Sequence, residues 1–157
     1  MSLLLRKHYK SRKIYSNYNY LLFSFFGVLI KKGKKEKTNK LIILLLEKIK
    51  ENFPDKNALI FLLKALEKLK PVINIRVKKV AGIRYSLPCP IGDERSAKVA
   101  VAWFYKSLEM RKEHGFVSKA FSEIVDIHRN KGLALQKKQA QERLALDNRA
   151  FFFFLKR

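Results

Sequence analysis

The sequence predicts a mainly α fold: a six-helix bundle with one protruding two-stranded β-hairpin between helices three and four. Three observations carry this. Apolar residues recur at three- and four-residue spacing over most of the chain, the period of a helix with one buried stripe. Only Ile73–Leu87 alternates with period two, the signature of strands. Loop signals at Gly33, Pro54, Pro71, Gly92 and Gly132 divide the helical stretches.

The elements follow in order. The first fifteen residues hold Arg6, Lys7, Lys10, Arg12 and Lys13 and no acid, a composition that buries little and forms a basic arm. A mitochondrial transit peptide has the same character, so both readings stand. Residues 16–157 form one domain. A first helix starts at Asn17, presents Tyr20, Leu21, Phe23, Phe26 and Ile30, and ends in Lys31-Lys32-Gly33-Lys34-Lys35. Thr38 is the expected N-cap of a second helix from Leu41 to about Asn52. Pro54 breaks it, and Asp55 is the expected cap of a third, with Leu59, Leu62, Leu63, Leu66 and Leu69 on its apolar stripe. The apolar runs 20–30 and 41–46 are shorter than the ~20 residues that cross a bilayer, and are expected to be buried helix faces.

Pro71 forces the chain out of helix and into the hairpin, at about 72–90. Ile73, Ile75 and Val77 alternate with Asn74, Arg76 and Lys78; after Ala81-Gly82, Ile83, Tyr85 and Leu87 alternate with Arg84 and Ser86. Gly82 accepts positive φ, so Ala81-Gly82 is the expected turn. Pro88 and Pro90 lack N–H groups, which confines the return strand to an edge. The expected ribbon has one apolar and one basic face, with Tyr85 and Ile83 docked on the bundle. Gly92-Asp93-Glu94 opens a fourth helix, with Val99, Trp103 and Leu108 inward. A fifth spans about Phe116 to Arg129, with Phe121, Ile124, Val125 and His128 inward or at its edge. A sixth runs from Leu133 towards Phe153.

Charge sets the expected partner. Lys and Arg number 35 against 13 acids, a formal net charge of +22 on 157 residues. Self-repulsion on that scale needs a polyanion, and the excess is spread along the whole chain, which favours nucleic acid over a membrane surface. The lone Cys89 excludes an internal disulfide and suits a reducing compartment. His8, His114 and His128 are scattered, so no metal site is expected. There is no phosphate-binding glycine loop and no Ser/His/Asp grouping. The chain is therefore expected to be no enzyme, with no cofactor and no small-molecule substrate.

With the hairpin placed, a family resemblance appears. Glu67-Lys68-Leu69-Lys70-Pro71 leading into Val72–Gly82 resembles the helix-to-hairpin junction of small-subunit ribosomal protein seven. Gly33-Lys34-Lys35, Ala100-Val101-Ala102-Trp103, Asn130-Lys131-Gly132 and Asn148-Arg149-Ala150-Phe151 are similar to that family in order and spacing, over roughly Asn17 to the C-terminus. The resemblance implies binding to the 3′ major domain of small-subunit rRNA and a role in assembling the head. It also implies a hairpin near the exit-site tRNA and mRNA path, and small-subunit protein eleven as a neighbour. The Val80-Ala81-Gly82 turn leans towards mitochondrial members, which places the protein in the mitochondrial matrix (alternatively a plastid or the bacterial cytoplasm). The family usually has Arg at Ala102 and a basic residue at Glu113, so contacts from those positions are not carried over.

Candidate RNA contacts are the arm residues already named, the loop cations Lys31, Lys32, Lys34 and Lys35, and the hairpin cations Arg76, Lys78, Lys79 and Arg84. Arg76 and Arg84 are expected to matter most, because a guanidinium forks onto phosphate oxygens. Arg95, Arg111 and Lys112 on the fourth helix, Lys131, and Lys137, Lys138, Arg143 and Arg149 towards the end complete the set. The aromatic tail from Phe151 is expected to pack on protein. Two other classes remain: a DNA-binding regulator, which concentrates charge on one recognition helix, and a peripheral membrane protein, which needs one dominant basic amphipathic helix.

Overall fold

The computed structural model of the chain describes residues 20–155. The basic arm, with Arg6, Lys7, Lys10, Arg12 and Lys13, and the expected helix start at Asn17 lie outside the described residues. Six helices follow one another: α1 over 20–29, α2 Lys35–Asn52, α3 Ala58–Lys68, α4 Asp93–Met110, α5 Phe116–His128 and α6 Leu133–Asp147. A hairpin, β1 Ile73–Val80 and β2 Ile83–Pro90, separates α3 from α4. The expected sixth helix is shorter than its sequence pattern implied: it stops at Asp147, and Arg149–Leu155 continue as a 3₁₀ helix.

Local chemistry sets the helix ends, in two places against expectation. Thr38 does not cap α2 but lies inside it, buried, its hydroxyl donating to the Lys34 carbonyl at 3.2 Å and the Leu29 carbonyl at 3.4 Å. The turn is closed instead by Lys32 and Gly33, both at positive φ. Asp55 gives way to Asn57, whose side chain accepts from the Leu59 and Ile60 N–H groups. A short amide two residues nearer the first turn reaches donors that Asp55 does not.

The core sits where α4 crosses the other helices. Ala97, Ala100, Val101 and Phe104 are buried on α4, against Leu62, Leu66, Ile124, Ile127 and Ala134. Phe104 meets Phe25 of α1 with ring centroids 6.0 Å apart. Small side chains at 97, 100, 120 and 134 let the helices approach closely. Phe104, not Trp103, is the core aromatic of α4; Trp103 and Val99 are half-buried. Phe23, 81% exposed, and Leu59 lie off the buried stripes, which run instead through Leu21 and Phe25 and through Phe61, Leu62, Ala65 and Leu66.

His128 closes α5 against α3. Its ring stacks on Phe61 at 3.8 Å, and Nε2 lies 3.0 Å from the Phe61 carbonyl oxygen. Burial pushes its pKa below the ordinary value, against the opposing pull of that carbonyl, and Lys68, Lys56 and Lys64 push the same way as burial. The unfolded chain thus takes up this proton near pH 6.5 while the folded chain takes it up lower. The stabilisation is complete above that pH and is lost as pH falls towards the folded pKa. Denaturant midpoints measured from pH 7 to pH 5 should fall with pH in the native chain and fall less in His128→Phe.

The hairpin turn is Ala81-Gly82, as the alternation implied, with φ of 50° and 84°. Positive φ at both central residues is the requirement of the type I′ turn, which matches strand twist. Ala81 bears a Cβ in that region and is strained. Ala81→Asn should raise hairpin stability by about 0.5–1 kcal/mol, read as slower hydrogen exchange of the β1 and β2 amides.

The two faces of the ribbon depart from expectation. The register pairs Val80 with Ile83, Val77 with Ser86, Ile75 with Pro88 and Arg76 with Leu87. Opposed residues share a face. The apolar positions of β1 therefore face the polar and proline positions of β2, because a two-residue turn sets the two alternations out of phase. One face carries Ile73, Ile75 and Val77 with Lys79 and Arg84; the other carries Arg76 and Lys78 with Leu87, Tyr85 and Ile83. No face is purely apolar or purely basic. Ile83 is 59% exposed and does not dock, whereas Tyr85 packs on Phe151 at 5.1 Å. Phe152 is 49% and Phe153 66% exposed in this chain.

Candidate nucleic-acid interface

The fold gathers cations at two ends of α4. At one end the base of the hairpin is fixed on the bundle: the Ser96 hydroxyl donates to the Pro71 carbonyl at 2.8 Å, and Gln141 Nε2 of α6 donates to the Ile73 carbonyl at 2.8 Å. β1 packs on α6 and β2 on the 3₁₀ segment, so the strands that carry Arg76, Lys78, Lys79 and Arg84 lie against the elements that carry Arg143 and Arg149. Arg95, two residues into α4, is exposed at the same end. Lys79 and Arg84 are directly opposed across the strands. Like charges so placed destabilise a hairpin and are relieved by a shared anion.

At the other end, the α1–α2 turn presents Lys31, Lys32, Lys34 and Lys35, all exposed. Lys31 Nζ lies 5.0 Å above the Tyr105 ring, which holds this loop against the second half of α4. Lys112 is exposed just beyond that helix. Eighteen residues of α4 separate the ends by about 27 Å, at ~1.5 Å per residue.

A third group lies at the α5–α6 junction. Lys131 is exposed there, Lys68 Nζ donates to the His128 carbonyl at 3.3 Å, and Lys138 Nζ donates to the Lys68 carbonyl at 2.8 Å and lies 3.8 Å from Glu142. Lys138 is thus partly engaged within the protein.

Two expected contact residues turn inward. Arg111 sits among three carboxylates: Nε donates to Glu123 at 2.7 Å, Nη1 to Glu113 at 2.8 Å, and Nη2 to Asp126. Burial alone would lower its pKa, but those three partners hold it well above the usual arginine value. All three of its nitrogens are engaged by carboxylates, and that ring of anions disfavours a phosphate beside it. Lys137 also departs from expectation: its Nζ is covered by protein and has no hydrogen-bond partner. Lys137→Met removes an unpaired buried ammonium, so thermal denaturation should show stability unchanged or raised by about 1 kcal/mol.

Glu123 was not visible as a key residue, since it lies in an otherwise ordinary helical stretch. It is fully buried, binds Arg111, and accepts from the Ala134 N–H at 2.9 Å. It thereby supplies from α5 the cap that Gly132 has no side chain to give α6. A Cβ at Gly132 would stand 2.9 Å from Ile127 Cγ1 and 3.0 Å from Glu123 Oε1. The faint signal was an acid at a stripe position next to Ile124.

The family model for "Ribosomal protein S7p/S5e" matches residues 3–149. The chain belongs to the ribosomal protein S7p/S5e family. Relatives named "Small ribosomal subunit protein uS7" include that of Treponema denticola, 32% identical over 140 residues, covering 88% of this chain and 89% of the relative. That of Petrotoga mobilis is 31% identical over 134 residues, covering 85% and 86%. The S7p/S5e match takes in both cationic ends of α4 and the carboxylate knot. It stops at Arg149, so the aromatic tail lies outside it, short of the C-terminal reach expected from the motifs. Among the described residues no helix is long and apolar enough to cross a membrane.

Proposed function

We propose that this chain is a structural constituent of the small ribosomal subunit that binds rRNA at both ends of α4 and so fixes two RNA segments at a set distance. The single observation that supports this best is the separation of exposed cations into the hairpin–α6 end and the 31–35 loop end, in a chain of the S7p/S5e family. The contact set is Lys31, Lys32, Lys34, Lys35, Arg76, Lys78, Lys79, Arg84, Arg95, Lys112, Lys131, Lys138, Arg143 and Arg149, with the arm residues 6–13 in addition. Arg111 serves the fold, and Lys137 is left out of the set because its ammonium is covered by protein.

The RNA is the 3′ major domain of small-subunit rRNA, and the protein helps assemble the head. The hairpin reaches towards the exit-site tRNA and mRNA path, which suits an arm with cations on both faces. Small-subunit protein eleven is a neighbour. The compartment is the mitochondrial matrix, a reading supported by the acid-free basic arm and the Val80-Ala81-Gly82 turn; the relatives described above are bacterial.

Sedimentation of a tagged chain tests the assignment: it should co-migrate with small-subunit particles. Binding to 3′ major domain fragments should exceed binding to duplex DNA at equal salt. A preference for duplex DNA would overturn it.

A further inference from the structure

The second helix carries more apolar surface than the core uses. The run Leu41-Ile42-Ile43-Leu44-Leu45-Leu46 was expected to be a buried face, but six consecutive residues go all the way round a helix. Ile42 and Leu45 are buried, whereas Ile43 is 54% exposed and Leu44 50%. On that outer face, one turn on, stands Glu47, and one turn further Glu51, with Pro54 beyond; Glu47, Lys50, Glu51 and Pro54 line an open cavity of about 420 Å³. Glu47 and Glu51 are like charges at i,i+4, and Glu51 lies in the last turn of α2, where the helix dipole disfavours an anion. Neither has an ion-pair partner among the described residues. Of the two lysines between them, Lys48 turns away to Ser118 Oγ at 3.1 Å and the Phe121 ring, while Lys50 lines the cavity without an ion pair among the described residues.

We propose that the outer face of α2, from Ile43 to Glu51, docks a basic polypeptide segment whose apolar side chain covers Ile43 and Leu44 and whose Lys or Arg pairs with Glu47 and Glu51. The pairing of charge with apolar surface decides the occupant. This face places two carboxylates that lack ion-pair partners beside bare aliphatic groups, with Lys40 and Lys50 at its margins; a phosphate backbone could meet those lysines but would leave Ile43 and Leu44 uncovered and face the carboxylates. A protein helix with an apolar residue and a cation one turn apart matches the spacing of Leu44 and Glu47. The inference does not depend on the rRNA assignment, since it concerns a face without exposed contact residues of that set.

The test uses the full chain in its own particles, with the photo-reactive residue p-benzoylphenylalanine in place of Leu44. A polypeptide adduct is expected, its crosslinked peptide holding Lys or Arg within one helical turn of an apolar residue. Adding Glu47→Arg and Glu51→Arg should cut the adduct yield by about tenfold, the size of one lost charge pair. Circular dichroism of the triple variant should be unchanged. A nuclease-sensitive adduct, an adduct to a second copy of this chain, a yield indifferent to charge reversal, or no adduct would each overturn the proposal. Loss of co-sedimentation with small-subunit rRNA would count against the ribosomal assignment and not against this face.

Discussion

Replacing Arg111 with alanine should lower the stability of the folded chain by about 3–5 kcal/mol, the cost of leaving a buried carboxylate without its counter-charge. Glu123 is fully buried, and the guanidinium supplies its compensating charge. The knot ties the end of α4 to α5 and, through the Ala134 N–H, to the start of α6. Losing it should loosen three helices together. Glu113→Ala should cost far less, under about 1 kcal/mol, because that partner is 36% exposed and screened. Gly132→Ala falls between them, at about 1–3 kcal/mol, since its Cβ would press on Ile127 and Glu123. Urea denaturation of the three variants in one buffer gives the ranking. A small effect of Arg111→Ala would mean that solvent reaches Glu123.

The second large effect is on binding. If six to ten phosphates are engaged, affinity for an rRNA fragment should fall by about 10³–10⁵ between 50 and 200 mM salt. Arg76→Glu with Arg84→Glu should weaken binding and flatten that slope, because the arm then presents anions on both its faces. Arg111→Lys should leave the slope unchanged, because its charge already faces carboxylates. Filter binding across a salt series separates the two outcomes. A slope indifferent to the hairpin pair would remove the arm from the RNA surface.

The helix order and the hairpin were legible because they rest on local signals. Gly33, Pro54, Pro71 and Gly132 punctuate the chain, and period-two alternation occurs in one place. What was not legible was which particular groups meet, within a turn as well as between elements. The cap of α3 moved from Asp55 to Asn57 because only the latter reaches the Leu59 and Ile60 N–H groups. The ribbon faces mixed because turn length, not strand pattern, fixes which residues oppose. Arg111 looked like any exposed cation until Glu123 and Asp126, twelve and fifteen residues on, were brought beside it. For the candidate site, composition identified cations; only the fold separates those that face outward from those spent on the interior.

The two-residue turn carries a consequence for how such an arm can evolve. Val80 opposes Ile83, so odd positions of one strand meet even positions of the other. An extra residue that shifted the two-residue turn by one position would bring odd against odd, gathering Ile73, Ile75, Val77, Ile83, Tyr85 and Leu87 onto one side as a greasy plate with Lys79 among them, and leaving Arg76, Lys78 and Arg84 on its back. Strand register at the tip is thus a selector between a finger that grips on both sides and a flap that lies flat, reached without altering any residue of either strand.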